Sequence, residues 1–301
     1  MPLAHPRLRP RRTILFVPGD RPDRFEKACA SGADAVCIDL EDAVAASAKA
    51  RARAAALEFI GSVCVPGSVD SGPELILRIN AFGSEAGALD LAALEESCAA
   101  PHALMLPKVQ GPDDVNAVAL HLETHSATGA ALLPLIESAA GLHQVEAVAC
   151  ASVRVAALPM GGLDLAADLG AVPEWDSLLY ARSRIVHAAA LAGIAALDVP
   201  FTHVEDLEGL EREASRVRRL GFQGKMAIHP GHVPILHDVF TPAPSEVERA
   251  RQLVEAADAA AAGQEGVFVV EGKMIDAPVV RAARATLARA RSMDARARKD
   301  A

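Results

Sequence analysis

The sequence predicts an α/β protein, a (β/α)8 barrel with a C-terminal helical extension. Three observations predict it. From Thr13 onward, short β-like runs alternate with longer Ala-, Leu-, Arg- and Glu-rich segments of helical period, the signature of repeated βα units. Eight such runs pass before the alternation stops at His229. The Gly-rich first turn of a doubly wound sheet is missing: Val17-Pro18-Gly19-Asp20 has no G-x-G-x-x-G, and Gly221-Phe222-Gln223-Gly224-Lys225 is no P-loop.

The strands are expected over residues 13–18, 35–40, 75–80, 103–107, 132–137, 155–160, 194–199 and 224–229. Each is a short apolar run bounded by turn residues, as a strand buried on both faces should be. Segments 43–60, 113–126, 177–192 and 207–220 have the length and period of barrel helices. The Gly- and Pro-bearing stretch 64–72 reads as a loop, because the alternation resumes directly after it. The catalytic barrel is therefore placed at residues 13–235 and an extension at 236–301. In the extension, Pro244-Ser245-Glu246 opens a helix to Ala262 with Ser245 as its N-cap. Residues 266–272 read as a β-hairpin arm, and Lys273 to Pro278 lead into a last Arg- and Ala-rich helix.

Composition narrows the function classes. The 301 residues are 51% hydrophobic, enough for a sizeable core, and the net charge of -9 argues against a sequence-independent hold on nucleic acid. No apolar run approaches the roughly 20 residues of a membrane-spanning helix. The five cysteines form no C-x-x-C pair and fit reduced thiols in a cytoplasmic protein. The first dozen residues, with Arg7, Arg9, Arg11, Arg12 and prolines, read as a frayed arm without a secretory segment.

Chemistry is expected at the carboxyl ends of the strands, which share one face of such a barrel. Asp39-Leu40-Glu41-Asp42 closes strand two, Arg78-Ile79-Asn80 strand three, Lys108 strand four, Glu137 strand five, Asp164 strand six, Asp198 strand seven and His229 strand eight. So many carboxylates around one mouth would repel one another without a cation. Oxygen ligands without His or Cys point to Mg²⁺ or Mn²⁺, and Glu137 with Asp164 is the ligand pair expected. Asp168, one turn further on, is the competitor for Asp164. Arg78 ends a buried strand and should hold an anion, either a substrate carboxylate or developing enolate, or the side chain of Glu41 or Asp42 in a structural pair. Lys108 and Lys225 are open between a phosphate and a structural role. His121 and His125, a helical turn apart, have half the look of a zinc site, but with no third ligand nearby they read as a solvated helix face.

Taken in order, several motifs resemble the citrate lyase β-subunit-like family of the phosphoenolpyruvate/pyruvate barrel superfamily, which includes malyl-CoA, β-methylmalyl-CoA and citramalyl-CoA lyases. They are Phe16-Val17-Pro18-Gly19, Gly32-Ala33-Asp34, Asp39-Leu40-Glu41-Asp42-Ala43-Val44, Arg78-Ile79-Asn80, Leu106-Pro107-Lys108-Val109, Ile136-Glu137-Ser138, Gly161-Gly162-Leu163-Asp164-Leu165 and Gly221 through Pro230. The resemblance implies a carbon-carbon lyase acting on a coenzyme A thioester, Mg²⁺ on Glu137 and Asp164, and Arg78 on the carboxyl or enolate oxygen. It implies coenzyme A seated by the loop from Pro18 through Arg21 and Arg24 to Lys27, and by His229 and Pro230. A related aldolase branch carries a His as base where this chain has Asp42, which disfavours that branch and leaves Asp42 a candidate catalytic carboxylate. Gly272-Lys273-Met274-Ile275-Asp276-Ala277-Pro278 resembles the tail of malyl-CoA-type lyases, implying that Asp276 enters a neighbouring subunit's site as acid/base in a trimer or hexamer; the competing reading of Asp276 is a helix N-cap. A citryl-acyl-carrier-protein lyase subunit and a non-catalytic acyl-CoA binder on the same fold are the alternatives.

Overall fold

The computed structural model describes residues 9–64, 72–125, 129–262, 268–270 and 273–297. Its strands are β1 (Thr13–Pro18), β2 (Ala35–Asp39), β3 (Glu74–Arg78), β4 (Ala103–Leu106), β5 (Ala131–Pro134), β6 (Ala157–Pro159), β7 (Ala195–Asp198) and β8 (Gly224–Ala227). All pair in parallel, in the order β5-β4-β3-β2-β1-β8-β7-β6. Isolated parallel bridges Leu132↔Val155 and Ile136↔Met160 join the two ends, so the sheet closes on itself. The eight expected strands are all present; β1 matches, β2, β3, β4, β5 and β8 end early, and β6 and β7 are shorter at both ends.

One helix starts later than its period suggests. After β2 a 3-10 turn, Ala46–Ala48, precedes the helix Lys49–Val63. The Asp39 carboxylate accepts the N–H groups of Glu41 at 2.9 Å and Ala43 at 3.4 Å, which binds residues 41–45 into a loop at the barrel mouth. The loop expected at 64–72 falls largely outside the described residues.

Alternation along the strands sorts the core into two clusters. Ile14, Cys37, Ile76, Met105, Leu133, Leu197 and Met226 fill the barrel interior. Leu15, Val36, Ile38, Leu75, Leu77, Leu104 and Leu132 pack outward beneath the helices. The N-terminal end of the barrel is closed by charge. Arg11 is buried and forks onto Glu74 at 2.6 and 2.8 Å, and Arg12 onto Asp34 at 2.9 and 2.7 Å. Arg11 and Arg12 are therefore not part of a frayed arm: two buried carboxylates at the foot of the barrel need partners, and these guanidiniums supply them.

The chain divides into two compact units after Phe240. The helix Val233–Phe240 stays with the barrel because it packs against β1 and β8, with His237 Nε2 3.1 Å from Thr13 Oγ1. The second unit holds the helix Pro244–Ala262, an antiparallel pair β9 (Phe268–Val270) and β10 (Lys273–Ile275), and the helix Ala277–Ala297. Pro244 already occupies the first helical turn, so Ser245 lies inside the helix and is not its N-cap. The Glu246 carboxylate instead accepts the Ala243 N–H at 2.8 Å. No helix among the described residues is long and apolar enough to cross a membrane.

Candidate active site

Alternation also decides which strand-end side chains face the barrel axis. Leu133 and Leu135 point inward, so Glu137 follows them; Cys37 brings Asp39, and Ile76 brings Arg78. Asp39, Asp42, Arg78, Glu137 and Asp164 line one cavity of about 750 Å³ at the C-terminal face of the barrel. Pro18, Arg24, Lys27, His229 and Pro230 complete its rim. Arg21 lies outside that lining: its guanidinium forks onto Asp23 at 2.9 and 2.7 Å, in solvent. The Arg24 and Lys27 side chains face the cavity without an ion-pair partner among the described residues.

Glu137 is the best-fixed member. Only 2% of it is exposed, Oε1 accepts the Lys108 N–H at 2.6 Å, and Oε2 is buried with no hydrogen-bond partner among the described residues. Burial pushes its pKa up to about 7, against the opposing pull of the Lys108 N–H and ammonium. Gly161 makes room for it, since a Cβ there would collide with the Glu137 Cβ and lie 2.7 Å from Oε2. That glycine's role was not readable from the motif alone.

Lys108 is what the sequence left undecided. It is the one non-glycine residue with positive φ among the described residues, at 55°. That conformation costs a residue with a Cβ about 1–2 kcal/mol. It turns the N–H onto Glu137 and carries the ammonium into the acidic cluster, 3.4 Å from Asp42 Oδ2 and Asp164 Oδ1 and 3.7 Å from Glu41 Oε1 and Glu137 Oε1. Partial burial opposes the charge, but Glu137, Glu41, Asp164 and Asp42 together raise its pKa.

Arg78 is held by a residue whose pairing the sequence does not reveal. Asp39, its register neighbour across β2 and β3, takes Nε at 2.7 Å and Nη2 at 2.6 Å, and Glu41 lies 3.1 Å from Nη1. Asp42 does not pair with it; Asp42 is largely exposed and reaches Lys108. Behind this group, Lys49 Nζ donates to the carbonyls of Leu40 and Glu41 and to Asn80 Oδ1, and Asp90 receives both the Asn80 amide and Arg53. The loop bearing Glu41 and Asp42 is pinned from beneath. Burial raises the Glu41 pKa, with Arg78 pulling the other way.

Several expected members stand elsewhere. Asp198 is fully buried and faces the helices, since its neighbour Leu197 faces the axis. It accepts from Arg182 Nε at 2.9 Å and Lys225 Nζ at 2.5 Å, and Lys225 also reaches Glu213 at 2.7 Å. This is a structural ion network, so neither Asp198 nor Lys225 meets substrate or phosphate. Asp168 accepts the Ala139 N–H at 2.6 Å and is outside the cavity lining, which leaves the strand-six position to Asp164. His121 lies 2.7 Å from Glu95 on the outer surface; the His125 side chain is outside the described residues. Asp276 precedes the helix Ala277–Ala297 and accepts the Val279 N–H at 3.3 Å, the geometry of an N-cap.

The residues present fit a hard divalent cation. Among the described residues no three or more His, Cys, Asp and Glu side chains come together closely enough to hold a metal ion by themselves. Glu137 and Asp164 supply two carboxylates, the number Mg²⁺ takes when water and substrate complete its shell. The unpartnered Glu137 Oε2 is a buried acceptor of the kind such an ion satisfies.

A family model for HpcH/HpaI aldolase/citrate lyase matches residues 12–230, the segment that carries every barrel residue named above except Arg11 and those of the helix Val233–Phe240. The chain belongs to that family. Across 96% of its length it is 36% identical to the L-malyl-CoA/beta-methylmalyl-CoA lyase of Cereibacter sphaeroides, covering 98% of that protein. It is equally 36% identical to citrate lyase subunit beta of Escherichia coli, covering 96% of each chain. The crystal structure of CitE from Mycobacterium tuberculosis in complex with magnesium, acetoacetate and coenzyme A superimposes with a TM-score of 0.75 at 32% identity, over 93% of this chain and 98% of that one. Arg78, Gly161 and Gly162 lie in the same cavity wall as Asp42, Glu137 and Asp164.

Proposed function

We propose that this protein is a divalent-metal-dependent carbon-carbon lyase that cleaves a 3-hydroxyacyl-CoA thioester of malyl-CoA or citramalyl-CoA type to acetyl-CoA and a 2-keto acid. The observation that carries the reading is the Glu137 carboxylate, buried in the cavity wall with Oε2 unpartnered, on the same mouth as Asp164 and the Asp39-braced Arg78. Glu137 and Asp164 would hold Mg²⁺ or Mn²⁺. When bound, such an ion supplies Lewis acidity to the hydroxy-acid or keto-acid end of the substrate. Asp39 and Glu41 leave donors of the Arg78 fork free to hold the thioester enolate oxygen as it gains charge. The hydroxyl proton leaves to a carboxylate of the mouth, for which Asp42 is the exposed candidate. The electron pair of the breaking carbon-carbon bond passes into the enolate, whose carbon takes a proton from Asp276 of an adjacent subunit. Pro18, Arg24, Lys27, His229 and Pro230 seat the coenzyme A moiety at the rim. The extension acts as a lid on a neighbour in a homotrimer or hexamer, in the cytoplasm.

A second reading, cleavage of a citryl-acyl-carrier protein within a citrate lyase complex, is favoured by the equal identity to the Escherichia coli subunit. One assay separates the two. Purified protein with Mg²⁺ is given malyl-CoA, β-methylmalyl-CoA, citramalyl-CoA and citryl-carrier protein, and release of the keto acid is followed, with Glu137→Ala alongside. Turnover of one CoA thioester, lost in Glu137→Ala, supports the lyase; turnover of citryl-carrier protein alone replaces it with the complex subunit. Coenzyme A binding with no turnover of any of the four leaves a binder.

A further inference from the structure

We propose that Lys108 is the site's internal counter-ion, whose ammonium competes with the divalent cation for Glu137 and Asp164 and so sets how tightly the metal is held. The inference rests on the metal reading above. Its basis is one residue performing two tasks. The Lys108 N–H takes Glu137 Oε1 at 2.6 Å, and its ammonium lies 3.4 to 3.7 Å from one oxygen each of Glu41, Asp42, Glu137 and Asp164. Both depend on the positive φ of 55°, which a β-region residue after β4 would not give.

A hard cation ligates carboxylate oxygen at about 2.0–2.1 Å, well inside the ammonium distances. An ammonium and a dication cannot both be centred on Glu137 and Asp164; the two repel, and the smaller, doubly charged ion takes the shared oxygens. The ammonium retains Glu41 and Asp42, which are not ligands, as its place to go. Its side chain is 39% exposed, which leaves the ammonium an open side toward which to turn. Lys108 thus holds the acidic mouth together in protein stripped of metal and weakens metal affinity in proportion to its hold.

The test measures binding rather than turnover. Chelator-treated wild type, Lys108→Met and Lys108→Arg are titrated with Mn²⁺ and the free ion is read by electron paramagnetic resonance. Lys108→Met is expected to bind about tenfold tighter or more, and Lys108→Arg to stay near wild type. Should the Met variant fail to fold, wild type alone serves: an amine-reactive acylating reagent at fixed pH, with the Lys108 peptide quantified by mass spectrometry, should label Lys108 several-fold faster with Mn²⁺ than with chelator. Lys108→Met binding no tighter than wild type, or labelling indifferent to Mn²⁺, overturns the inference while the metal reading stands. Wild type that takes up no Mn²⁺ overturns both.

Discussion

Asp39 and Arg78 meet across β2 and β3 as register partners, with both carboxylate oxygens on the guanidinium at 2.7 and 2.6 Å. Asp39 is nearly fully buried, and burial opposes the Arg78 charge, but the fork onto Asp39 raises its pKa all the same. Removing one partner of such a pair strands the other. Asp39→Ala is expected to cost about 3–5 kcal/mol in urea unfolding, and to abolish turnover because Arg78 loses its aim. An unfolding midpoint equal to wild type would show that Arg78 stands without Asp39.

Gly161 is the space in which Glu137 sits. Gly161→Ala places a Cβ against the Glu137 Cβ and 2.7 Å from Oε2, so residue 137 must shift together with its carboxylate. The variant should keep wild-type circular dichroism and lose at least about tenfold in Mn²⁺ affinity. Unchanged affinity would place the metal elsewhere.

Glu137 also links stability to pH. Its pKa in the folded protein, about 7, is raised by burial above the unfolded value near 4.3. A folded state that holds the proton more tightly is stabilised fully below the unfolded pKa and loses that stabilisation as pH rises through the folded one. In chelator, the unfolding free energy of wild type relative to Glu137→Gln should therefore fall between about pH 4 and about pH 7. Parallel pH curves for the two proteins would contradict the raised pKa.

Lys225 separates structure from site. Its ammonium is fully buried between Asp198 and Glu213, and burial of Asp198 is outweighed by Lys225 and Arg182, which lower its pKa. Lys225→Met is expected to lose about 3–5 kcal/mol of stability with no change in Mn²⁺ affinity. A lower affinity in a folded Lys225→Met would tie this network to the mouth.

Asp276 has two roles that one substitution divides. Asn caps a helix as well as Asp does, but it cannot donate a carboxyl proton. Asp276→Asn should keep the melting temperature within error and lose at least about a hundredfold in turnover. A turnover near wild type would leave Asp276 as the N-cap of its helix and nothing more.

The barrel was legible in the sequence because its βα alternation is a local pattern, repeated until eight strands are spent. Glu137, Asp164 and Arg78 were legible because each ends or follows a strand, and strand ends share a face. Asp198 ends a strand too, yet it faces the helices. In a barrel strand both faces are apolar, so the composition of residues 195–198 does not reveal which side meets the axis; only pairing with β6 and β8 does. Arg11 and Arg12 looked like an arm because Glu74 and Asp34, which hold them, are far away in sequence. Lys108 was the residue least open to reading: its positive φ is set by what surrounds the end of β4, and its four carboxylates come from three separate segments. The sequence by itself determined the repeating units and the acids at their ends, which are properties of short stretches of chain. Tertiary structure decided which of those acids share a cavity and which cation stands among them, because Coulomb forces act between neighbours in space whatever their separation along the chain.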